Sequence, residues 1–205
     1  MSATIDITAN IAGLVITGKV TKSVATLEQN VSGTLTLSAA KGGTLTTRTN
    51  NTEGTITLTG GHGFGDGAHT IDIYWTGGMR YGVSATVSTN ACTITGGAGD
   101  NLPIATTAVT AQIQTQSNMT FDGDAMAAIV VGSNKRVSLD FQSTDSTSMK
   151  HVEVAAGEVF VWWHAGGFTT PVTGDPVTKV LATCGDSAAA ATVKVGVLYD
   201  GDGTV

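Results

Sequence analysis

The stretch Gly54–Val87, GTITLTGGHGFGDGAHTIDIYWTGGMRYGVSATV, decides the fold class of this chain. Apolar and polar residues alternate along three of its segments, 55–59, 69–75 and 80–87. A period of two residues is typical of a strand with one buried face. The sequence Thr76-Gly77-Gly78-Met79 between the last two segments is a hairpin signal. The stretch therefore predicts three antiparallel strands from the centre of a small barrel or meander.

The composition of the whole chain favours strands and argues against nucleic-acid binding. The 205 residues suit one or two domains, and only 13% of them are charged. Threonine and valine are abundant, and such β-branched residues fit a pleated, half-buried surface. The net charge is −6, and the densest basic cluster is the single pair Lys135-Arg136. Binding to nucleic-acid phosphates needs clustered lysine or arginine residues, so a nucleic-acid partner is not expected. We expect hydroxyl-rich sheet surfaces that pack against neighbouring chains.

The first residues and the apolar runs of the chain predict where the protein folds. Met1–Asp6 shows neither the basic nor the apolar region of a signal peptide, and no apolar run approaches the length of a membrane helix. We expect folding in a cytoplasm without a membrane partner. Cys92 and Cys184 lie far apart and show no CxxC spacing, so we interpret both as small buried residues.

The pattern of strands and turns predicts an all-β chain of two parts. Residues 53–115 are expected to close as a small barrel module of about five strands, ending in a strand over 108–115. Residues 1–52 and 116–205 are expected to form one β-sandwich into which this module is inserted; three sequential units are the alternative. Arg48–Thr52 is polar and is taken as the boundary, and Lys41-Gly42-Gly43 is taken as a turn.

Three hairpins are predicted in the last part of the chain. Gly132–Lys135 separates two strand patterns, as does Ala156-Gly157-Glu158, and the segment Val177–Tyr199 reads as a closing hairpin with a turn of small residues. The best helical candidate, Asp186–Ala191, is too short to form a stable helix.

Two groups of residues offer candidate metal ligands. His62, Asp66 and His69 lie within eight residues, but a further protein ligand is not evident. The simpler interpretation is a turn in which glycines adopt positive φ and Phe64 enters the end of the barrel. Asp122-Gly123-Asp124 and Asp200–Gly203 resemble fragments of calcium loops without the terminal glutamate, so turns are the simpler interpretation there too.

Aromatic residues supply the candidate interface. On a strand, Phe160 and Trp162 share one face while Trp163 lies on the other. One indole is expected in the core and the other at a subunit interface, where tryptophan is enriched; stacking on a sugar is the alternative. The candidate interface residues are Trp163, Trp75, Phe168 and Tyr81.

No motif in the chain predicts catalysis. GxSxG, P-loop, HExxH and dinucleotide-binding patterns are absent, and the glycines of 60–67 do not open a helix that would hold a phosphate. We therefore expect no enzymatic role and no cofactor.

The residues Thr57–Gly67, TLTGGHGFGDG, followed by Ile71–Trp75, resemble a small β module with a GHGF turn that recurs in structural proteins of tailed bacteriophages. The segment Val177–Tyr199 is similar to the closing hairpin of phage virion proteins. The resemblance implies a virion component, assembled in the host cytoplasm, whose partners are copies of itself and a capsid or tail protein.

Between these roles, two compact β units favour a decoration protein on the capsid surface. A tail-tube subunit is expected to carry a long hairpin, and the pattern does not show one clearly. The rival class is a carbohydrate-binding or adhesin module that uses Trp75, Tyr81 or Trp163 as a stacking platform.

Overall fold

The computed structural model describes residues 3–11, 14–22, 30–117, 126–143, 149–163 and 177–199. Side chains are described within 34–116, 129–142, 151–161 and 180–196. All regular structure in these ranges is β, which confirms the predicted fold class. The strands are β1 Ala3–Ile11, β2 Leu14–Lys22, β3 Asn30–Leu37, β4 Lys41–Arg48, β5 Gly54–Leu58, β6 Gly67–Trp75, β7 Gly78–Ser88, β8 Ala91–Thr95, β9 Ala98–Gly99, β10 Ala108–Ile113, β11 Thr115–Ser117, β12 Met126–Ser133, β13 Val137–Ser143, β14 Met149–Val154, β15 Val159–Trp163, β16 Val177–Cys184 and β17 Ala191–Tyr199. Among the described residues, no helix has the length and apolar character needed to span a membrane.

The chain divides into two compact units, and one of them is a barrel. This unit comprises residues 37–115 together with 183–190. Its strands pair in the order β6-β10-β4-β5-β8-β7, and β7 pairs again with β6, so that six strands close on themselves. The short strand β9 pairs with the first residues of β7. Closure satisfies the backbone groups that a sheet edge would leave unpaired.

The barrel is filled by the inward members of its alternating strands. Every second residue of β5, of β8 and of β7 from Val83 onward is buried, which is the period-2 pattern predicted from the sequence. Phe64, Trp75 and Ile113 pack against this core from partly buried positions. The buried core residues are Leu45, Ile56, Leu58, Ile71, Ile73, Val83, Ala85, Val87, Cys92, Ile94, Leu102, Val109 and Ala111.

The barrel begins earlier in the chain than the sequence predicts. β4 pairs with β5 and β10, so the boundary at residue 52 is wrong and Arg48–Thr52 is only the connection of one hairpin. Lys41-Gly42-Gly43 is likewise not a turn but the first part of β4. A Cβ on Gly43 would lie 2.9 Å from both Ile56 Cγ2 and Thr57 O, so glycine here permits close strand packing.

The second unit contains two four-stranded sheets, as expected for a sandwich. It comprises 1–36, 116–182 and 191–205, and its sheets have the orders β11-β16-β13-β14 and β15-β12-β17-β3. Both sheets contribute buried apolar residues, which is how the two layers of a sandwich share one core. These residues are Ile129, Val130, Val131, Val137, Leu139, Phe141, Val152, Val154, Val180, Ala182, Ala191, Val193 and Val195.

The three hairpins predicted for this unit are wrong. β12 and β13 lie in different sheets, and the same is true of β14 and β15 and of β16 and β17. Each connection is therefore an arch that crosses from one sheet to the other. Gly157 N donates to Ser133 O at 2.9 Å, and Thr192 N donates to Asn134 Oδ1 at 2.8 Å, so the arches satisfy one another's polar groups. Glycine and asparagine permit either kind of turn, because local sequence does not specify which sheet the next strand joins.

The first two strands of the chain form a two-stranded ribbon. β1 and β2 are antiparallel over nine residue pairs, from Ala3↔Lys22 to Ile11↔Leu14. No other described strand pairs with either of them. The chain therefore contains a long hairpin, which the sequence pattern did not show clearly.

Candidate functional site

The glycine-rich turn before β6 is organised around His62. This side chain is buried, its Nε2 lies 2.8 Å from Thr89 O, and its Nδ1 accepts a hydrogen bond from Phe64 N at 3.0 Å. Its ring meets that of Phe64 edge-on, with 5.4 Å between centroids. Both ring nitrogens are thus engaged within the turn, and neither is presented to a metal.

The other two candidate metal ligands also have structural partners. His69 Nε2 lies 2.7 Å from Gly65 O, and Asp66 Oδ1 accepts from Thr89 N at 2.7 Å. Gly63 and Gly67 have φ of +75° and +122°, a region that favours glycine. In the described part of the chain, no three His, Cys, Asp or Glu residues are grouped as a metal site. The geometry favours the structural interpretation of this turn.

Asp72 is a buried carboxylate whose importance the sequence analysis missed. It lies in β6 opposite an irregularity of β7, where Ile71 pairs with Val83 and Ile73 with Arg80. The extra residue of this β-bulge leaves Gly82 at φ +61°, with its N–H donating to Asp72 Oδ1 at 2.9 Å. The available signal was a charged residue between two isoleucines of an apolar strand.

The carboxylate of Asp72 also binds the segment 183–190 to the barrel. Thr183 Oγ1 donates to Asp72 Oδ2 at 2.6 Å and lies 2.6 Å from the Tyr74 hydroxyl. Gln114 Nε2 donates to Asp72 Oδ1 at 3.1 Å. Beside this cluster, the side chain of Gln112 accepts from Cys184 N and donates to Ser38 O at 2.7 Å. Because these groups satisfy one another away from solvent, the cluster acts as a structural support of the barrel.

Ser138, Asp140 and His151 resemble a catalytic triad in composition but not in geometry. Asp140 and His151 are cross-strand partners, and Asp140 Oδ1 lies 2.6 Å from His151 Nδ1. Ser138 Oγ faces the same nitrogen at 3.5 Å. In a triad, the hydroxyl and the carboxylate meet different ring nitrogens so that the imidazole can transfer a proton between them. The arrangement therefore does not activate the serine.

Both cysteines are buried, and neither forms a disulfide bond. Burial raises the pKa of the Cys92 thiol from 9.0 to about 11, because the desolvated thiolate is disfavoured. Cys184 Sγ accepts from Asp186 N at 3.3 Å. Their interpretation as small buried residues agrees with this structure.

The structure describes some of the four candidate interface residues and not others. Trp75 packs against the barrel core and is partly buried, and Tyr81 is half-buried beside the β7 bulge. Trp163 lies in β15 opposite Ala128, but its side chain is outside the described part. Phe168 falls outside the described residues, as do Asp122–Asp124 and Asp200–Gly203. Of the four candidates, only Trp75 and Tyr81 have described side chains, and both belong to the barrel unit.

The outward side of the barrel presents a surface that we call the hydroxyl face. It consists of six outward residues of β5, β7 and β8: Thr55, Thr57, Ser84, Thr86, Thr93 and Thr95. They are in register across the strands, because Thr93 pairs with both Thr55 and Thr86, and Ser84 pairs with Thr95. Five of the six are exposed, and none carries a charge.

Comparison of the chain with protein-family models, curated proteins and solved structures finds no match.

Proposed function

We propose that this chain is a structural protein of a bacteriophage virion, which associates with copies of itself and attaches to the capsid surface as a decoration protein. The resemblance of the GHGF turn supports the virion class. The hydroxyl face is the observation that supports a role in assembly.

The hydroxyl face suits a protein contact for a physical reason. The cores of protein interfaces are depleted in charged residues, since a buried charge must lose its hydration. Threonine offers a methyl group for packing and a hydroxyl that can exchange water for a partner's carbonyl. Thr93 lies at the middle of this face, with Thr55 and Thr86 on either side.

A charge at the middle of the hydroxyl face tests the proposal. Thr93→Lys is expected to weaken association of the full chain by at least about tenfold, or about 1.4 kcal/mol, because the ammonium must be desolvated. Sedimentation velocity over a concentration series measures this change. Thr76→Lys, at an exposed turn residue off the face, is the matched control and should leave association unchanged.

Two results would count against the assembly role. One is a wild-type chain that stays monomeric at high concentration and does not bind capsids. The other is robust binding of the isolated monomer on a glycan array, which would favour the carbohydrate-binding class.

A tail component is the second candidate, and the β1–β2 ribbon favours it. A tail-tube subunit is expected to carry a long hairpin, and the ribbon supplies nine residue pairs of antiparallel strand. Negative-stain electron microscopy of the concentrated chain separates the two roles. Rings or tubes would indicate a tail component, whereas binding to preformed capsids would indicate a decoration protein.

A further inference from the structure

The hydrogen bonds of His62 assign one protonation state to its buried ring. Nε2 lies 2.8 Å from the carbonyl oxygen of Thr89, so Nε2 must carry a proton and donate it. Nδ1 lies 3.0 Å from the backbone nitrogen of Phe64, which always carries a proton, so Nδ1 must accept. The ring in the folded turn is therefore the neutral Nε2–H tautomer, and no acceptor faces a second proton.

The glycine-rich turn holds Thr89 by both of its backbone groups. The Thr89 carbonyl accepts from His62, and the Thr89 N–H donates to Asp66 Oδ1 at 2.7 Å. Thr89 lies in the turn between β7 and β8 and has φ of +55°, a region that β-branched residues rarely adopt. Loss of either hydrogen bond removes a restraint on this strained backbone. The contact between the two turns therefore depends on the protonation state of the His62 ring.

We propose that this contact is an acid-sensitive latch, closed while His62 is neutral and opened when its Nδ1 takes up a proton. Protonation places a ring N–H against the backbone N–H of Phe64, so two donors replace a hydrogen bond. The turn then moves away from Thr89 and exposes Phe64, which packs against the barrel core in the closed latch. The inference goes beyond the virion role and does not depend on it.

The other titratable groups near His62 do not replace this effect. Asp66 lies in the same turn and His69 in β6, whereas β5 and the turn between β7 and β8 contain no titratable residue. Asp66 attracts an imidazolium through space, but it does not provide an acceptor for a proton on Nδ1, because Phe64 N faces that atom. His69 Nε2 donates to Gly65 O at 2.7 Å, and the protonated ring keeps that donor. Of these two histidines, only His62 loses a hydrogen bond on protonation.

The direction of the pH effect follows from this geometry. The closed latch binds only the neutral ring of His62, whereas the ring in the open turn or in the unfolded chain is free to take up a proton. Protons therefore favour the open latch, and the stability of the turn rises with pH across the range in which an ordinary histidine titrates, around pH 6.5. A comparison of about pH 7.5 with about pH 5.5 spans this range and stays above the titration of an ordinary aspartate.

Two matched variants of the full chain test the latch. His62→Gln keeps a donor and an acceptor but removes the titratable ring, whereas His69→Gln keeps the donor to Gly65 O and leaves His62 in place. Hydrogen exchange followed by NMR measures the protection of the Phe64 and Thr89 amides, corrected for the intrinsic exchange rate. Between about pH 7.5 and about pH 5.5, protection should fall at least about tenfold in the wild type and in His69→Gln, and less than about twofold in His62→Gln.

The ¹⁵N shifts of the His62 ring in the wild type give a second measurement, which remains decisive if His62→Gln does not fold. A neutral Nε2–H ring at the higher pH that becomes doubly protonated as the two amides lose protection supports the inference. A doubly protonated ring beside amides that stay protected would overturn it, as would a ring that stays neutral at the lower pH with protection unchanged. An equal pH response of the wild type and His62→Gln would also overturn it, because another group would then cause the change.

Discussion

At the scale of single residues, Asp72 shows why a charge is tolerated inside an apolar strand. Its two carboxylate oxygens accept hydrogen bonds from the Gly82 amide, the Gln114 amide and the Thr183 hydroxyl. Hydrogen bonds to a charged group contribute about 1.5–3 kcal/mol each, which offsets much of the cost of burying the carboxylate. The residue thereby closes the bulge of β7 and anchors a distant segment of the chain.

Removing this carboxylate is expected to destabilise the barrel. Asp72→Ala should lower the free energy of unfolding by about 3 kcal/mol, since it leaves three donors without their acceptor. Thr183→Val should cost about 1–2 kcal/mol. Equilibrium denaturation in urea measures both changes. Thr57→Val on the exposed hydroxyl face is the control, expected to change stability by less than about 0.5 kcal/mol; an Asp72→Ala variant as mild as this control would contradict the anchoring role.

The raised pKa of Cys92 has consequences for reactivity and stability. The folded thiol keeps its proton up to about pH 11, whereas the unfolded thiol loses it near its ordinary pKa of 9.0. Since the unfolded state then releases its proton first, this group's contribution to stability is present below about pH 9 and is lost as pH rises toward 11.

Both thiols should resist a thiol reagent at pH 8 in the folded protein. Only the thiolate reacts, and Cys92 and Cys184 are buried. An assay with Ellman's reagent should detect two thiols in guanidinium chloride and none in buffer. Rapid labelling of either cysteine in buffer would mean that the barrel opens readily.

At the scale of elements, the short strand β9 depends on backbone positions that only glycine occupies without strain. Gly96 and Gly97 both have φ of +71°, but their surroundings differ. A Cβ on Gly97 would lie 2.6 Å from Tyr81 O, whereas a Cβ on Gly96 would meet nothing within 4 Å. The carbonyls of both glycines accept hydrogen bonds from the buried Arg80 guanidinium.

Alanine substitutions at Gly96 and Gly97 distinguish the cost of backbone strain from the cost of steric crowding against β7. Gly96→Ala is expected to lower the free energy of unfolding by about 1 kcal/mol, the cost of a left-handed alanine. Gly97→Ala should cost about 1–3 kcal/mol more, because β9 must move away from β7. Denaturant midpoints of the two variants measure the difference. Equal values would show that β9 is not packed as closely as the structure indicates.

At the scale of the whole molecule, the barrel is completed by residues far away in sequence. The segment 183–190 belongs to it and follows residue 115 by nearly seventy positions. Thr110 Oγ1 donates to Gly185 O at 2.8 Å, and Ala40 N donates to Asp186 O at 2.8 Å. Thr183 of the same segment contacts Asp72 and Tyr74, and both of these side chains are buried.

A fragment of residues 37–115 should therefore be incomplete. We expect it to unfold at lower denaturant than the same fragment with 183–190 joined by a Gly/Ser linker, because only the latter provides Thr183 and the Gly185 carbonyl. Circular dichroism during urea titration measures both. A fused segment carrying Thr183→Val should recover only part of the difference, and equal midpoints for all three would contradict a role for this segment.

The local features of the fold could be predicted from the sequence. Alternation specified the strands β5, β6 and β7 and the residues that they direct into the barrel core, since each residue's face follows from its position in the strand. It did not predict that Asp72 and Tyr74, on the other face of β6, are buried too. The glycine-rich turn and the hairpin at Thr76-Gly77 were predicted from their glycines, since glycine adopts the positive φ that such turns need.

Which strands share a sheet, and which distant side chains meet, was decided only by the tertiary structure. Gly132–Lys135 connects strands of different sheets. Asp72 accepts a hydrogen bond from Thr183, which lies more than a hundred residues away in the sequence. A turn residue constrains φ and ψ over a few positions, whereas the sheet that a strand joins depends on which distant surfaces bury the most apolar area. For this reason the strands were predictable one by one, while the arches, the inclusion of β4 and 183–190 in the barrel, and the anchoring carboxylate were not.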